Sequence, residues 1–355
     1  MSRFWNPRIH ALHPYIPGEQ PQIPNLVKLN TNELPYGPSP KVLDAIRSAT
    51  TESLRLYPDP TALKLRETIA RRFDTTPDRV FVGNGSDEVL AHAFRALFAE
   101  DTPILFPDVS YSFYPVYCGL FGLEARTIPL TETYEIDVTA YTGPCGGVII
   151  PNPNAPTGIA LPLDAVEQLV TQHPNRTVII DEAYVDFGAA SAVSLTAKHD
   201  NLLVIQTLSK SRALAGLRVG FAIGHPDLIE GLTRVKDSFN SYPLGRPAQE
   251  GAIAAIEDDA WTRTTTARVI ETRTHLIERL TKLGFHTLPS STNFLFTQHP
   301  NHTATDLAAA LRTRAILVRH LKGERTRNWL RITIGTAEEC HLLTTALTEI
   351  LNLQI

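Results

Sequence analysis

Cysteine is scarce: Cys118, Cys145 and Cys340 are the only three in 355 residues. An odd number at wide spacing supports neither a disulfide framework nor a CxxC metal site, and it points to a reducing cytoplasm. An excess of one charge is also missing, since 33 Lys+Arg against 37 Asp+Glu leave a formal −4. Nothing therefore biases the chain toward nucleic acid or another polyanion. No apolar run approaches the roughly 18 residues of a membrane span. The first twenty residues carry prolines, histidines and charges where a secretory segment needs an unbroken apolar stretch, so no export signal is expected. With 20% charged against 43% hydrophobic residues, the chain is not a disordered one. Its length favours two domains.

The first sixty residues hold ten of the 26 prolines, which remove donors and fix φ, so an extended arm is expected there with short helices near 41–50 and 61–73. From about residue 79, short apolar β-branched runs alternate with amphipathic segments, the pattern of βαβ units in a parallel sheet. The predicted strands are 79–83, 103–107, 146–151, 177–184, 201–208 and 219–224. Several are apolar throughout, as strands covered on both faces must be. A helix opened by Ser86-Asp87-Glu88 should run through Ala99, the hydroxyl and acids suiting its positive end. After about 245 the order changes to helices at 247–257 and 260–283, a strand pair within 285–297, a helix at 304–314, strands at 315–320 and 329–335, and a helix at 336–351. The expected organisation is an arm (1–43) joining the small domain, a large α/β domain (44–245) with a mostly parallel central sheet, and a smaller α+β domain (246–355).

The strand at 177–184 ends in Asp181-Glu182-Ala183-Tyr184, which brings an aspartate to the carboxyl end of an apolar strand, where open α/β sheets bind ligands. The next strand ends in Thr207-Leu208-Ser209-Lys210, 29 residues beyond Asp181, about one strand plus crossover. Alone, such a pair is an ordinary salt bridge. Three features shift the reading. Thr207 and Ser209 flank Lys210, and Arg218 follows in Ala215-Gly216-Leu217-Arg218-Val219-Gly220, gathering hydroxyls and a guanidinium suited to phosphate. Gly83-Asn84-Gly85-Ser86 leads into a helix N-terminus that offers backbone N–H groups to the same anion. Pro151-Asn152-Pro153-Asn154-Ala155-Pro156-Thr157-Gly158 forms a rigid polar turn after another strand. A lysine, a buried acid and a phosphate cradle together suggest pyridoxal 5′-phosphate (PLP).

With S-K-x(7)-R, D-E-A-Y and a P-T-G turn in this order, the chain resembles the fold-type I PLP-dependent aminotransferases, class II subgroup. Leu29-Asn30-Thr31-Asn32-Glu33-Leu34-Pro35-Tyr36-Gly37-Pro38-Ser39-Pro40, Tyr57-Pro58-Asp59-Pro60, Phe239-Asn240-Ser241-Tyr242-Pro243 and Trp329-Leu330-Arg331-Ile332-Thr333-Ile334-Gly335 bring it closest to the histidinol-phosphate aminotransferase family. The similarity runs from about Pro14 to the C-terminus. Two positions depart from the family pattern. The asparagine that meets the cofactor's phenolic oxygen falls at Ala155, so either Asn154 substitutes or Tyr184 holds that oxygen without it. Leu34 stands where the family has a polar residue.

The resemblance implies a Schiff-base role for Lys210, which also moves the proton between substrate Cα and cofactor C4′. It implies that Asp181 pairs with the ring nitrogen and that Tyr184 donates to the phenolic oxygen. Tyr111 would stack on the ring; from the residues alone it is equally a core tyrosine. Phosphate would be held by the Gly85 and Ser86 backbone, Thr207, Ser209 and Arg218, with Asp87 also among the cofactor-binding residues and Tyr57 reaching the partner subunit's phosphate in a homodimer. Arg331 would anchor the substrate carboxylate, and a buried arginine without an anion is rare enough to favour that reading. Arg319 would meet the substrate's side-chain phosphate, with Arg325 and Arg327 as alternatives, and Tyr15 would close over the substrate. His10 and His13 read as surface or arm residues, and no histidine spacing suggests a metal.

The implied reaction converts L-histidinol phosphate and 2-oxoglutarate to imidazole acetol phosphate and L-glutamate. An aromatic amino-acid aminotransferase and a threonine-phosphate decarboxylase are the alternatives within this fold. A PLP-sensing transcription regulator would need a DNA-reading module, for which there is no room before the arm. A dinucleotide-binding oxidoreductase is disfavoured because Glu88 replaces the third glycine of G-x-G-x-x-G.

Overall fold

The computed structural model describes residues 2–351. The first residue of the expected arm and the last four of the expected small domain lie outside the described residues. In chain order the strands are β1 (Val27–Leu29), β2 (Val80–Gly83), β3 (Ile104–Pro107), β4 (Ala125–Ile128), β5 (Gly147–Pro151), β6 (Val178–Asp181), β7 (Leu202–Thr207), β8 (Gly220–Gly224), β9 (His286–Thr287), β10 (Phe294–Gln298), β11 (Ile316–His320) and β12 (Leu330–Thr333). The helices are α1 (Pro40–Ala49), α2 (Leu63–Arg72), α3 (Gly85–Leu97), α4 (Tyr114–Phe121), α5 (Leu163–Gln172), α6 (Pro226–Phe239), α7 (Arg246–Glu257), α8 (Asp259–Lys282), α9 (Ala304–Thr313) and α10 (Ala337–Ile350).

Seven strands form a sheet in the order β2-β8-β7-β6-β5-β3-β4, parallel except for β8, which runs against both neighbours. The expected mostly parallel α/β sheet is therefore present. Alternation along each strand sends successive side chains to opposite faces. Val148, Ile150, Val178, Ile180 and Val204 enter one core, with residues of α2, α5 and α7, while Ile149, Ile179, Leu203 and Ile205 enter the other, with residues of α3, α4 and α6. At roughly 1.5–3 kcal/mol per fully buried aliphatic side chain, these two layers dominate the stability of the sheet.

The second sheet runs β1-β11-β12-β10-β9, with β1 parallel to β11 and the rest antiparallel. Its core is closed by α8, α9 and α10. Through β1, the proline-rich arm contributes an edge strand to this sheet. Neither β1 nor β4 was expected: β1 has three residues, and Ala125–Ile128 alternates exposed and half-buried positions at a sheet edge. The change of layout read near 245 falls ahead of α7, yet Ala252, Ile253, Ala255 and Ile256 of α7 pack in the core of the large sheet. The packing therefore changes allegiance after α7, at Asp258, the residue that precedes α8.

Candidate active site

The carboxyl ends of β2, β5, β6 and β7 and the start of β8 share one edge of the large sheet, because Pro151 and Ile205 lie in register with Asp181, and Thr207 and Gly83 with Gly220. Chain continuing from these ends lines an inner cavity of about 100 Å³, walled among others by Ser86, Asp181, Tyr184, Thr207, Lys210 and Arg218. An outer cavity of about 740 Å³ shares Asp87, Tyr111, Ala155, Tyr184 and Lys210 with it and extends to Tyr15, Arg319 and Arg331. Residues as far apart as Tyr15 and Arg331 thus meet around one lysine.

Asp181 is buried, and its Oδ2 accepts a hydrogen bond from the Tyr114 hydroxyl at 2.8 Å. Its Oδ1 is buried without a protein partner. Burial pushes this carboxyl up to about 6, although the Tyr114 hydrogen bond pulls the other way. The sequence did not single out Tyr114, since α4 was not expected.

The anion cradle forms where α3 starts. Gly85 has φ +80, and a Cβ there would stand 2.5 Å from Arg218 Nη2. A Cβ on Gly220 would lie 2.4 Å from the Ser86 backbone nitrogen, so β8 approaches the helix start as only glycine permits. Thr207 Oγ1 donates to Ser209 Oγ at 3.0 Å and accepts from the Ser209 N–H at 3.1 Å. Asp87 organises the rim, accepting from Arg218 Nη2 at 2.9 Å, the Tyr111 hydroxyl at 2.8 Å and, at its backbone carbonyl, the Tyr117 hydroxyl at 2.7 Å. Lys210 Nζ lies 5.7 Å from the centre of the Tyr184 ring. Asn32 Nδ2 donates to the Tyr184 hydroxyl at 2.9 Å, a contact that spans 152 positions and that sequence reading missed.

Toward the outer cavity, Arg331 Nη2 donates to the Asn30 carbonyl at 3.0 Å while its Nε stays buried without a partner. Burial lowers its pKa from the ordinary arginine value. Arg319, opposite Arg331 in the β11–β12 register, donates to the Ile16 carbonyl at 3.4 Å. Neither guanidinium has a carboxylate partner among the described residues. Arg325, by contrast, binds Asp108 at 2.9 Å and the carbonyls of Leu130 and Thr131, and Arg327 does not line the cavity. Of the three alternatives, Arg319 is thus the guanidinium left open to a ligand. Tyr15 stacks on Phe113 at 4.8 Å over the cavity.

Two expected residues lie elsewhere. Asn154 lines neither cavity: its amide donates to the Val109 carbonyl and Thr157 Oγ1, both at 3.0 Å, and the methyl of Ala155 faces the site in its place. The turn keeps the Asn154 amide out of both cavity linings, while its Oδ1 stays buried without a partner. Tyr57 is 79% exposed, stacks on Tyr242 at 4.7 Å, and is remote from its own chain's cavities. Among the described residues no three metal-ligating side chains cluster.

Residues 24–347 match the family described as aminotransferase class I and II. The chain belongs to this aminotransferase family. It is 68% identical over 352 residues to histidinol-phosphate aminotransferase 2 of Gluconobacter oxydans, and 63% identical over 351 residues to histidinol-phosphate aminotransferase of Acetobacter pasteurianus, with 99% of each chain covered in both cases. Among solved structures, the aminotransferase fold is shared with histidinol-phosphate aminotransferase from Sinorhizobium meliloti in complex with pyridoxal-5′-phosphate, at TM-score 0.87 and 23% identity, covering 99% of this chain and 98% of that one. Within an aminotransferase, a buried acid with a free oxygen, a lysine that forms no ion pair among the described residues and a glycine-lined anion cradle suit the ring nitrogen, aldehyde and phosphate of PLP.

Proposed function

We propose that this aminotransferase uses PLP to convert L-histidinol phosphate and 2-oxoglutarate into imidazole acetol phosphate and L-glutamate. The observation that carries the reading is one cleft in which Lys210 and Asp181 stand at the inner end and, at the outer end, Arg319 and Arg331, two guanidinium groups with no carboxylate partner among the described residues. The naming of relatives at 68% and 63% identity supports the choice of substrate.

When bound, PLP supplies an electron sink for the pair left on the substrate carbon as its proton departs. Lys210 Nζ would hold the cofactor's aldehyde carbon and then carry the proton taken from the substrate carbon. Asp181 Oδ1, free of protein partners, would keep the ring nitrogen protonated, while Tyr114 orients the carboxyl through Oδ2. The phosphate would take the N–H groups at the start of α3, the hydroxyls of Ser86, Thr207 and Ser209, and Arg218. Tyr184 would donate to the phenolic oxygen, and Tyr111 would cover the ring. Arg331 and Arg319 would receive the two carboxylates of glutamate in one half-reaction and the phosphate dianion of the donor in the other. Tyr15, stacked on Phe113, would exclude water above them.

A homodimer is part of the proposal. It is supported by the exposure of Tyr57, its stacking partner Tyr242 and the chain neighbours Leu54 and Leu56, none of which lines its own chain's cleft. A cytoplasmic location is supported by three cysteines that are free and buried. No helix among the described residues is long and apolar enough to cross a membrane.

A donor screen tests the reading by following glutamate from 2-oxoglutarate. Histidinol phosphate should give a higher kcat/KM than phenylalanine, and equal values would reassign the substrate to aromatic amino acids. Carbon dioxide release from threonine phosphate would reassign the reaction itself. Lys210→Ala should remove the visible absorbance of the bound cofactor and the turnover together.

A further inference from the structure

Asn32 is 1% exposed and sits in the left-handed region at φ 57, in an arm segment between the two sheets. Each of its four polar groups has a partner. Its backbone N–H donates to Thr333 Oγ1 at 3.0 Å, its carbonyl accepts from Asn293 Nδ2 at 2.9 Å, its Oδ1 accepts from the Thr333 hydroxyl at 3.0 Å, and its Nδ2 donates to the Tyr184 hydroxyl oxygen at 2.9 Å. The order of donors is dictated by Thr333. Its oxygen receives the Asn32 N–H, so its single proton goes to Oδ1, which turns Nδ2 toward Tyr184. The reverse rotation would leave the Thr333 proton without an acceptor and would draw the Tyr184 proton onto Asn32.

With an amide N–H arriving at its oxygen, Tyr184 keeps its own proton for the cavities it lines. Ala155, on the facing wall, has no donor to offer. We propose that Asn32 is a positioning residue that aims the Tyr184 proton at the cofactor's phenolic oxygen, where Ala155 offers no donor. The inference rests on the proposed function, in which Tyr184 faces that oxygen.

The test is a pH titration of the visible absorbance of the PLP-loaded protein, read as the midpoint of the spectral change. A donor at the phenolic oxygen stabilises its ionised form and lowers the midpoint. Asn32→Asp keeps the shape and tolerates φ > 0, yet presents only acceptors and draws the Tyr184 proton back. It should raise the midpoint by about one pH unit, tenfold in proton affinity. Asn32→Gly, unstrained at this φ, removes the orienting amide and should raise it as well, which keeps the test open if the aspartate variant folds poorly. In a Tyr184→Phe background neither substitution should move the midpoint further, because the phenol through which Asn32 acts is gone. An unchanged midpoint in both Asn32 variants overturns the inference, as does an equal rise with and without the Tyr184 hydroxyl, which would mark a merely structural role. Wild-type protein that shows no visible band on adding PLP overturns the cofactor reading beneath it, and the inference with it.

Discussion

In the cofactor-free protein, Asp181→Asn should be stabilising, although it removes a group central to the proposed chemistry. The carboxyl is buried, is held at about 6 against an ordinary 3.8, and has one oxygen without a partner. A folded value above the unfolded one means that the folded state binds the proton more tightly. Stability is therefore undiminished below pH 3.8, falls as pH rises through the window from 3.8 to 6, and stays reduced above it. That difference corresponds to about 3 kcal/mol at neutral pH. Asparagine carries no charge and can still accept the Tyr114 hydroxyl, so it escapes the cost while keeping the contact. For a chain of this length the unfolding entropy is about 0.7 kcal/mol/K, which converts the gain to a Tm rise of about 4 °C. Thermal unfolding of cofactor-free wild type and variant at pH 4 to 8 measures it. The gain should be near zero at pH 4 and full by pH 7, and adding PLP should reverse the order of the two proteins. A variant no more stable than wild type at pH 7, or a gain of the same size at every pH, would refute the argument that this acid is kept ionised at the expense of the fold.

Arg319→Ala should raise KM for histidinol phosphate by about 10- to 100-fold, the usual worth of a charge-assisted hydrogen bond, and raise that for phenylalanine far less. Steady-state kinetics with both donors checks this, and equal losses would move phosphate recognition elsewhere. Tyr57→Ala should weaken cofactor binding, measured by PLP titration. Mixing it with Lys210→Ala subunits should restore about a quarter of wild-type activity, because half the dimers are hybrids with one intact site. No recovery would place Tyr57 outside the partner's site.

The six predicted strands of the large sheet were legible because each carries a short apolar run, several of them apolar throughout, as a sheet covered on both faces requires. Asp181 and Lys210 were legible for the same reason, as charged residues closing apolar runs. What escaped depends on contacts between distant parts of the chain. Tyr114 meets Asp181 across 67 positions, and Asn32 meets Tyr184 across 152, with no periodicity to announce either. β4 is an edge with alternating exposure, and β1 is three residues in a proline-rich arm whose pairing with β11 is set by the partner strand. Asn154 shows the limit of a motif: the residue type was present one position away from the family's asparagine, but its amide was already committed to Val109 and Thr157.

Arginines separate structural from functional burial in a way that composition does not. Arg212 and Arg273 are both buried and both tied down: Arg212 Nη1 donates to the Ala255 carbonyl and Thr262 Oγ1, and Arg273 Nη1 to the carbonyls of Phe187 and Thr292. Such guanidinium groups staple segments together, and their chemistry is complete without a ligand. Arg331 differs in kind, since its Nε is buried and unpaired and its nearest charged neighbour across the sheet is another cation, Arg319. Leaving a buried donor unpaired costs about 1–3 kcal/mol, and a like charge beside it adds to that cost. An anion with two acceptor groups removes both costs at once. Among the described residues, the cleft thus holds an acid with an unpartnered oxygen at its inner end and guanidinium groups without a carboxylate at its outer end. A molecule that supplies a positive ring nitrogen to the first and a negative group to the second is what this charge distribution selects.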